Sequence, residues 1–256
     1  MSPAETTVAT PFSIILLSGG LAIGLVLVHL VASRLRFLQV VPRSRWLSFG
    51  SGVSVAYVFV HVLPDLSAAQ ETVRQSWGAG WEFLEHHVYL VALAGLAAFY
   101  GLERTAKVSR RRNREAGQGD VTDAGIFWLH MVSFALYNAL IGYLLLHREE
   151  SGFASSLLYA VAMALHFVVN DYGLREHHKK PYDQIGRWIL AAAVMAGWVI
   201  GSSSQISPAA IAVLFAFLAG GVVLNVLKEE LPENRESRFW AFAAGAIGYA
   251  ALLLAL

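Results

Sequence analysis

The sequence predicts an all-α, polytopic membrane protein of eight transmembrane helices, and three observations carry that reading. Apolar residues make up 56% of the 256-residue chain and charged residues only 14%, with a mean hydropathy of +0.54, against roughly 45–50% apolar and about 25% charged in soluble domains. The apolar residues gather into eight runs that approach the roughly 20 residues a helix needs to cross about 30 Å of hydrocarbon. The cations collect between those runs and almost wholly on one side. No stretch remains for a soluble catalytic domain, so an enzyme is not expected.

The first run, 12–33, has only Glu5 and no cation ahead of it, so it reads as a retained helix and not as a cleaved signal peptide. The second, 46–64, ends at Pro64, which frees a backbone carbonyl near the outer end. There His61 and Asp65 stand one turn apart, a spacing from which both side chains reach one cation. The third, 83–103, runs into the basic stretch Arg110 to Arg114, read as a juxtamembrane orientation signal. The fourth, 125–146, sets His130, Phe134, Tyr137, Asn138 and Ile141 on one stripe, without a carboxylate.

The fifth run, 154–174, carries the strongest candidates. His166, Asn170, Gly173 and His177 share a stripe, with Asp171 just beyond its edge. An ionised Asp facing lipid costs several kcal/mol, so an intramembrane Asp beside His and Asn requires partners inside the bundle and is a candidate functional residue. His177 and His178, next to Lys179 and Lys180, read as exposed loop residues, with His177 a candidate exit group for a cation. The sixth run, 186–204, the seventh, 208–228, and the eighth, 239–256, complete the count. At the inner end of the seventh, Glu229, Glu230 and Glu233 are candidate gate or exit groups.

Of the 19 Lys and Arg residues, only Arg74 and Arg148 fall in loops on one side; the other loops hold the rest. The positive-inside rule then places both termini outside, in what is expected to be a bacterial inner membrane. Cysteine is absent, which excludes disulfides and thiolate ligands and leaves imidazole, carboxylate, amide or backbone oxygen to bind any metal. A net charge of +1 says little about partners and gives no reason to expect nucleic acid. A shift of 168 residues lays "FGSGVSVAYVFVHVLPDL" (49–66) over "FLAGGVVLNVLKEELPEN" (217–234) with 6 of 18 positions identical. The two helices run in opposite directions through the bilayer, so this is an inverted repeat, an arrangement of secondary transporters that hold substrate near the midplane. The chain reads as one domain, 1–256, of two three-helix halves, 12–103 and 186–256, around central helices in 125–174.

At these residues the chain resembles the ZIP family of zinc and iron transporters. "HVLPDL" (61–66) is similar to the family's ending of helix two, "AAFYGLER" (97–104) to that of helix three, "HFVVNDYG" (166–173) to the helix-five signature and "EELPE" (229–233) to the ending of helix seven. The resemblance covers the whole chain and implies eight core spans and a metal site between helices four and five. Carried over by position, it gives His166, Asn170 and Asp171 from helix five and Asn138 from helix four as metal ligands; His61, Asp65, His130, His177 and the three glutamates are the candidate entry and exit groups. "FALYNALIG" (134–142) departs from the family pattern, with Phe134 where a His is expected and Asn138 where a carboxylate is. A dication held by one Asp and neutral groups keeps about one charge uncompensated in a low-dielectric site.

The resemblance therefore implies a carrier moving a divalent metal ion, of the zinc, iron or manganese class with zinc first, toward the cytoplasm. That ion is substrate, no prosthetic cofactor is expected, and the lipid bilayer and a second copy of the chain are the other expected partners. Two alternatives stay open. One is a relative that no longer transports transition metals and carries another solute or serves as a sensor or scaffold. The other is an intramembrane hydrolase with zinc on His61, His130 and His166.

Overall fold

The structure is a computed structural model that describes residues 11–32, 45–77, 87–147, 152–230 and 238–254. Among these no strand occurs. The helices are α1 (Pro11–Ala32), α2 (Arg45–Tyr57), α3 (Leu63–Trp77), α4 (His87–Glu115), α5 (Ala124–Leu144), α6 (Phe153–His178), α7 (Arg187–Ser203), α8 (Pro208–Glu230) and α9 (Phe239–Leu254). Among the described residues six helical stretches are long and apolar enough to cross a membrane: Ser13–Ala32, Ser48–Ser76, Ala124–Leu144, Ser155–His178, Tyr182–Ser203 and Pro208–Lys228. Their outward faces carry Leu27, Val132, Leu136 and Val199, all more than half exposed. Apolar surface on that scale suits hydrocarbon and not water, and the protein is an integral membrane protein of helices.

Two helix irregularities follow from proline. α2 continues into α3 through a π turn, Val58–Val62, where the Leu63 N–H reaches the Val58 carbonyl. Pro64 supplies no N–H to the preceding turn, and the helix widens there. His61 sits in that turn. A second π turn, Tyr182–Gly186, follows Pro181 and leads into α7. The third expected run is also longer than its apolar part: α4 reaches Glu115, so the basic stretch 110–114 is helical. Lys107 pairs with Glu103 and Arg111 with Glu115 one turn apart, while the Asn113 amide donates to Val121 and Asp123 and holds the following turn against the helix.

The repeated segment packs the same way twice. A Cβ on Gly52 of α2 would lie 2.0 Å from the Phe242 carbonyl oxygen of α9, and one on Gly245 of α9 would lie 2.1 Å from that of Phe49. On α8, a Cβ on Gly220 would lie 1.9 Å from the Ala92 carbonyl oxygen of α4, and one on Gly95 of α4 would lie 2.1 Å from that of Phe217. Phe49 and Gly52 occupy the positions of Phe217 and Gly220 in the repeat. One Phe-x-x-Gly unit thus makes one close crossing with a glycine-bearing partner in each half. Gly142 of α5 and Gly197 of α7 make a third reciprocal contact, against the carbonyls of Val194 and Ala139. Without an apolar driving force between helices in lipid, such small-residue contacts supply the packing.

Candidate functional site

Helix α1 positions a residue that the sequence did not single out. The Trp198 indole of α7 donates to the Ser18 hydroxyl at 3.0 Å and fixes α1 on α7. Further along α1, His29 enters the bundle with 1% of its surface exposed. Its Nδ1 lies 2.9 and 3.0 Å from the two carboxylate oxygens of Asp171 on α6, and its Nε2 lies 2.8 Å from Asn138 Oδ1 on α5. The ring stacks on Phe167, centroids 4.3 Å apart.

The hydrogen-bond pattern assigns the protons. Asn138 Nδ2 donates to the Phe134 carbonyl at 2.7 Å, so its oxygen faces His29 and can only accept. Nε2 therefore carries a hydrogen. On the Asp171 side one proton is shared between Nδ1 and the carboxyl group, whose two oxygens stand at near-equal distances. Asp171 is 2% exposed and is the one fully buried acidic residue among those described.

The other candidates on α6 turn to different helices. His166 Nε2 lies 2.8 Å from the Tyr137 hydroxyl of α5. Asn170 accepts from the Asn225 amide of α8 at 3.3 Å, and its own buried amide nitrogen has no hydrogen-bond partner among the described residues. Asp171 and Asn138 are brought together through His29, whereas His166 and Asn170 are not joined to them. No group of three or more His, Asp or Glu side chains with metal-binding geometry occurs among the described residues.

Two cavities lie along the seam of α5, α6 and α8. The larger, about 550 Å³, is bounded by His61, Asp65, His147, Tyr159 and the start of α8 at Pro208. His61 and Asp65 stand 3.6 Å apart in its wall. The smaller, about 20 Å³, holds little more than one water and is bounded by Glu103, His130, Asn170, His177, Asn225 and Lys228. On α6 the two are ten or more residues apart, about 15 Å at 1.5 Å per residue. Between them stand the Tyr137–His166 pair and Phe99, which packs edge-on against Phe134 and Tyr137 at 5.4 and 5.3 Å.

Beyond the smaller cavity a charged network binds the helix ends together. His177 and His178, expected in an exposed loop, belong to α6 and are 6% and 1% exposed. Their burial follows from partners on α4 and the turn after it. Arg110 can only donate, so His177 Nδ1 accepts from it and Nε2–H donates to Glu103 at 3.1 Å. Lys228 of α8 reaches the other Glu103 oxygen at 2.8 Å. His130 donates Nε2–H to the Leu102 carbonyl at 2.8 Å, and its Nδ1 lies 3.0 Å from His178 Nε2. His178 Nδ1 in turn lies 2.6 Å from the Thr122 hydroxyl. His130 and His177 thus bind this end of the bundle together through protein partners on every ring nitrogen. Outside the spans, Arg110 and Lys179 hold the Asp120 carboxyl well below the usual carboxylate range, and the same contact pushes the Arg110 guanidinium up. Glu233 lies outside the described residues, as do the side chains of Glu229 and Glu230.

His29, Asn225, Glu103 and Lys228 escaped the sequence reading. For His29 a signal was present, an imidazole in an otherwise apolar span. Its partners lie 109 and 142 residues away, beyond any periodicity. No family model, curated protein or solved structure matches the chain.

Proposed function

We propose that the protein is a ZIP-like carrier that moves a divalent metal cation toward the cytoplasm along the seam of α5, α6 and α8. In this reading the chain crosses the membrane eight times, three helices either side of a central pair, with both termini outside. The observation that carries it is the pair of cavities on one polar seam, divided by Tyr137, His166 and Phe99. A carrier needs access from each side and a barrier between, and a cation held there needs negative charge nearby, for which this reading calls on the buried Asp171. The twice-used Phe-x-x-Gly crossing supports two related halves that can rock against each other. His61 and Asp65 in the larger cavity are the entry groups, and the cations gathered at the other end orient that end toward the cytoplasm.

Uptake of zinc and manganese ions into proteoliposomes tests this reading against Asp171→Ala and His166→Ala. Uptake by the wild type that both variants abolish is the expected result. No uptake above empty liposomes, or uptake undiminished in both variants, overturns it.

One observation favours a second reading, a carrier of the same fold for a solute other than a transition metal. His29 already engages both Asp171 oxygens and the Asn138 oxygen, two of the four groups proposed as ligands. Calorimetry separates the two readings: zinc binding to the wild type that is lost in His166→Ala speaks for the metal carrier, and its absence for the second reading.

A further inference from the structure

We propose that the larger cavity is a binding site for an organic cation, a single amine or ammonium charge carried on an apolar body that includes an aromatic ring. The proposal goes beyond the carrier reading and does not rest on it, since it concerns what the cavity holds and not what crosses the barrier.

Size is the first observation. A volume of about 550 Å³ falls within the roughly 300–1,000 Å³ of sites that enclose small organic molecules. At about 30 Å³ per water, a metal ion with six waters fills only about 180 Å³. The walls also lack the means to replace that water. A site that holds a transition metal supplies three or four protein ligands, and no group of three His, Asp or Glu side chains with such geometry occurs among the described residues.

Charge is the second observation. Among the described residues around the cavity, Asp65 is the only acidic one and no Lys or Arg is present. Its side chain is 38% exposed, and the His61 ring nitrogen stands 3.6 Å away, beyond hydrogen-bond length. One carboxylate in an otherwise apolar wall favours one positive charge and repels an anion.

The third observation is the wall itself. Tyr57, Tyr159 and Phe215 line it with Ile211 and Ala212. Tyr159 donates its hydroxyl to the Ile141 carbonyl at 3.4 Å, and His147 donates Nδ1–H to the Tyr143 carbonyl at 3.4 Å. A sugar or polyol would therefore find few partners, whereas aromatic rings both attract a cation and cover its apolar body. The π turn Val58–Val62 brings His61 into this same wall, and such turns recur at functional sites.

The test is equilibrium dialysis of radiolabelled phenethylamine against the full-length protein in lipid nanodiscs, with binding to empty nanodiscs subtracted. Phenethyl alcohol and hydrocinnamate have nearly the same shape, one without charge and one negative, and serve as competitors. The wild type is expected to bind one equivalent of phenethylamine, which the alcohol and hydrocinnamate displace only at concentrations at least tenfold above those of unlabelled amine. Asp65→Asn, which keeps the shape and removes the charge, is expected to weaken binding at least tenfold. Ala68→Trp, which puts a bulky ring into the cavity from an exposed position, is expected to abolish it. If Asp65→Asn does not fold, the competitors and Ala68→Trp judge the proposal by the same criteria. Absence of saturable binding overturns the proposal, as does equal displacement by all three compounds or binding unchanged in either folded variant. The carrier reading fails separately: absent wild-type metal uptake sinks that reading, whereas intact uptake without phenethylamine binding sinks this proposal alone.

Discussion

His29 and Asp171, 142 residues apart, form a fully buried hydrogen-bonded pair that joins α1 to α6, with Nδ1 2.9 and 3.0 Å from the two carboxyl oxygens. A buried polar pair of this kind is costly to break, because the partner left behind is unsatisfied in a low-dielectric interior.

Asp171→Ala should therefore destabilise the protein by about 3–5 kcal/mol, and removing both partners should cost less than removing either one. Thermal unfolding of Asp171→Ala, His29→Ala and the double variant in one detergent measures this. Additive losses would show that the two residues do not act as a pair.

The repeated crossing makes a sharper packing prediction. Gly52→Ala and Gly220→Ala each place a methyl about 2 Å from a backbone carbonyl oxygen, and overpacking of that sort costs typically about 1–3 kcal/mol. Gly20→Ala and Gly248→Ala meet nothing within 4 Å and should be neutral or slightly stabilising. Equal melting behaviour of the two sets would remove the crossing as a structural element.

Glu103 accepts from His177 of α6 and Lys228 of α8 beside the smaller cavity. Glu103→Gln should loosen that end. The chain contains no cysteine, so a single cysteine in place of Val169, which lines the same cavity, reports access directly. Labelling by a membrane-impermeant thiol reagent from the Lys/Arg-rich side should rise several-fold in the Glu103→Gln background. Unchanged labelling would mean that Glu103 does not seal this end.

Asp120 takes hydrogen bonds from Arg110 and Lys179, and its folded pKa lies below the usual carboxylate value of about 3.9. A depressed carboxylate contributes stability that is fully present above its unfolded pKa and is lost as pH falls through the folded one. Protease protection of the turn 116–123 should thus be the same at pH 7 and pH 5 and weaken only in stronger acid, whereas Asp120→Asn should weaken it throughout. Loss of protection between pH 7 and pH 5 would exclude this clamp.

Much of the architecture was legible because one-dimensional patterns carry it. Among the described residues each of the eight expected apolar runs falls on a helix, and six of these stretches are long and apolar enough to cross a membrane; α3 and α4 extend past their runs where polar side chains pair one turn apart. Pro64 marked a backbone irregularity at the end of the second run, and the repeat aligned Phe49 and Gly52 with Phe217 and Gly220, which pack alike. His177 and His178 were misplaced because their neighbours Lys179 and Lys180 look solvated, while Arg110, Glu103 and Thr122, which bury them, are far away in sequence.

The sequence by itself determined that this is a helical membrane protein with polar side chains on its fourth and fifth apolar runs. Hydropathy, periodicity and proline act locally, and local rules suffice for that much. Only the tertiary structure decided which polar groups meet. Asp171 takes an imidazole from α1, His166 takes a hydroxyl from α5, and Asn170 an amide from α8. Residues one helical position apart point about 100° apart and so answer to different neighbours, and those neighbours are chosen by how whole helices pack.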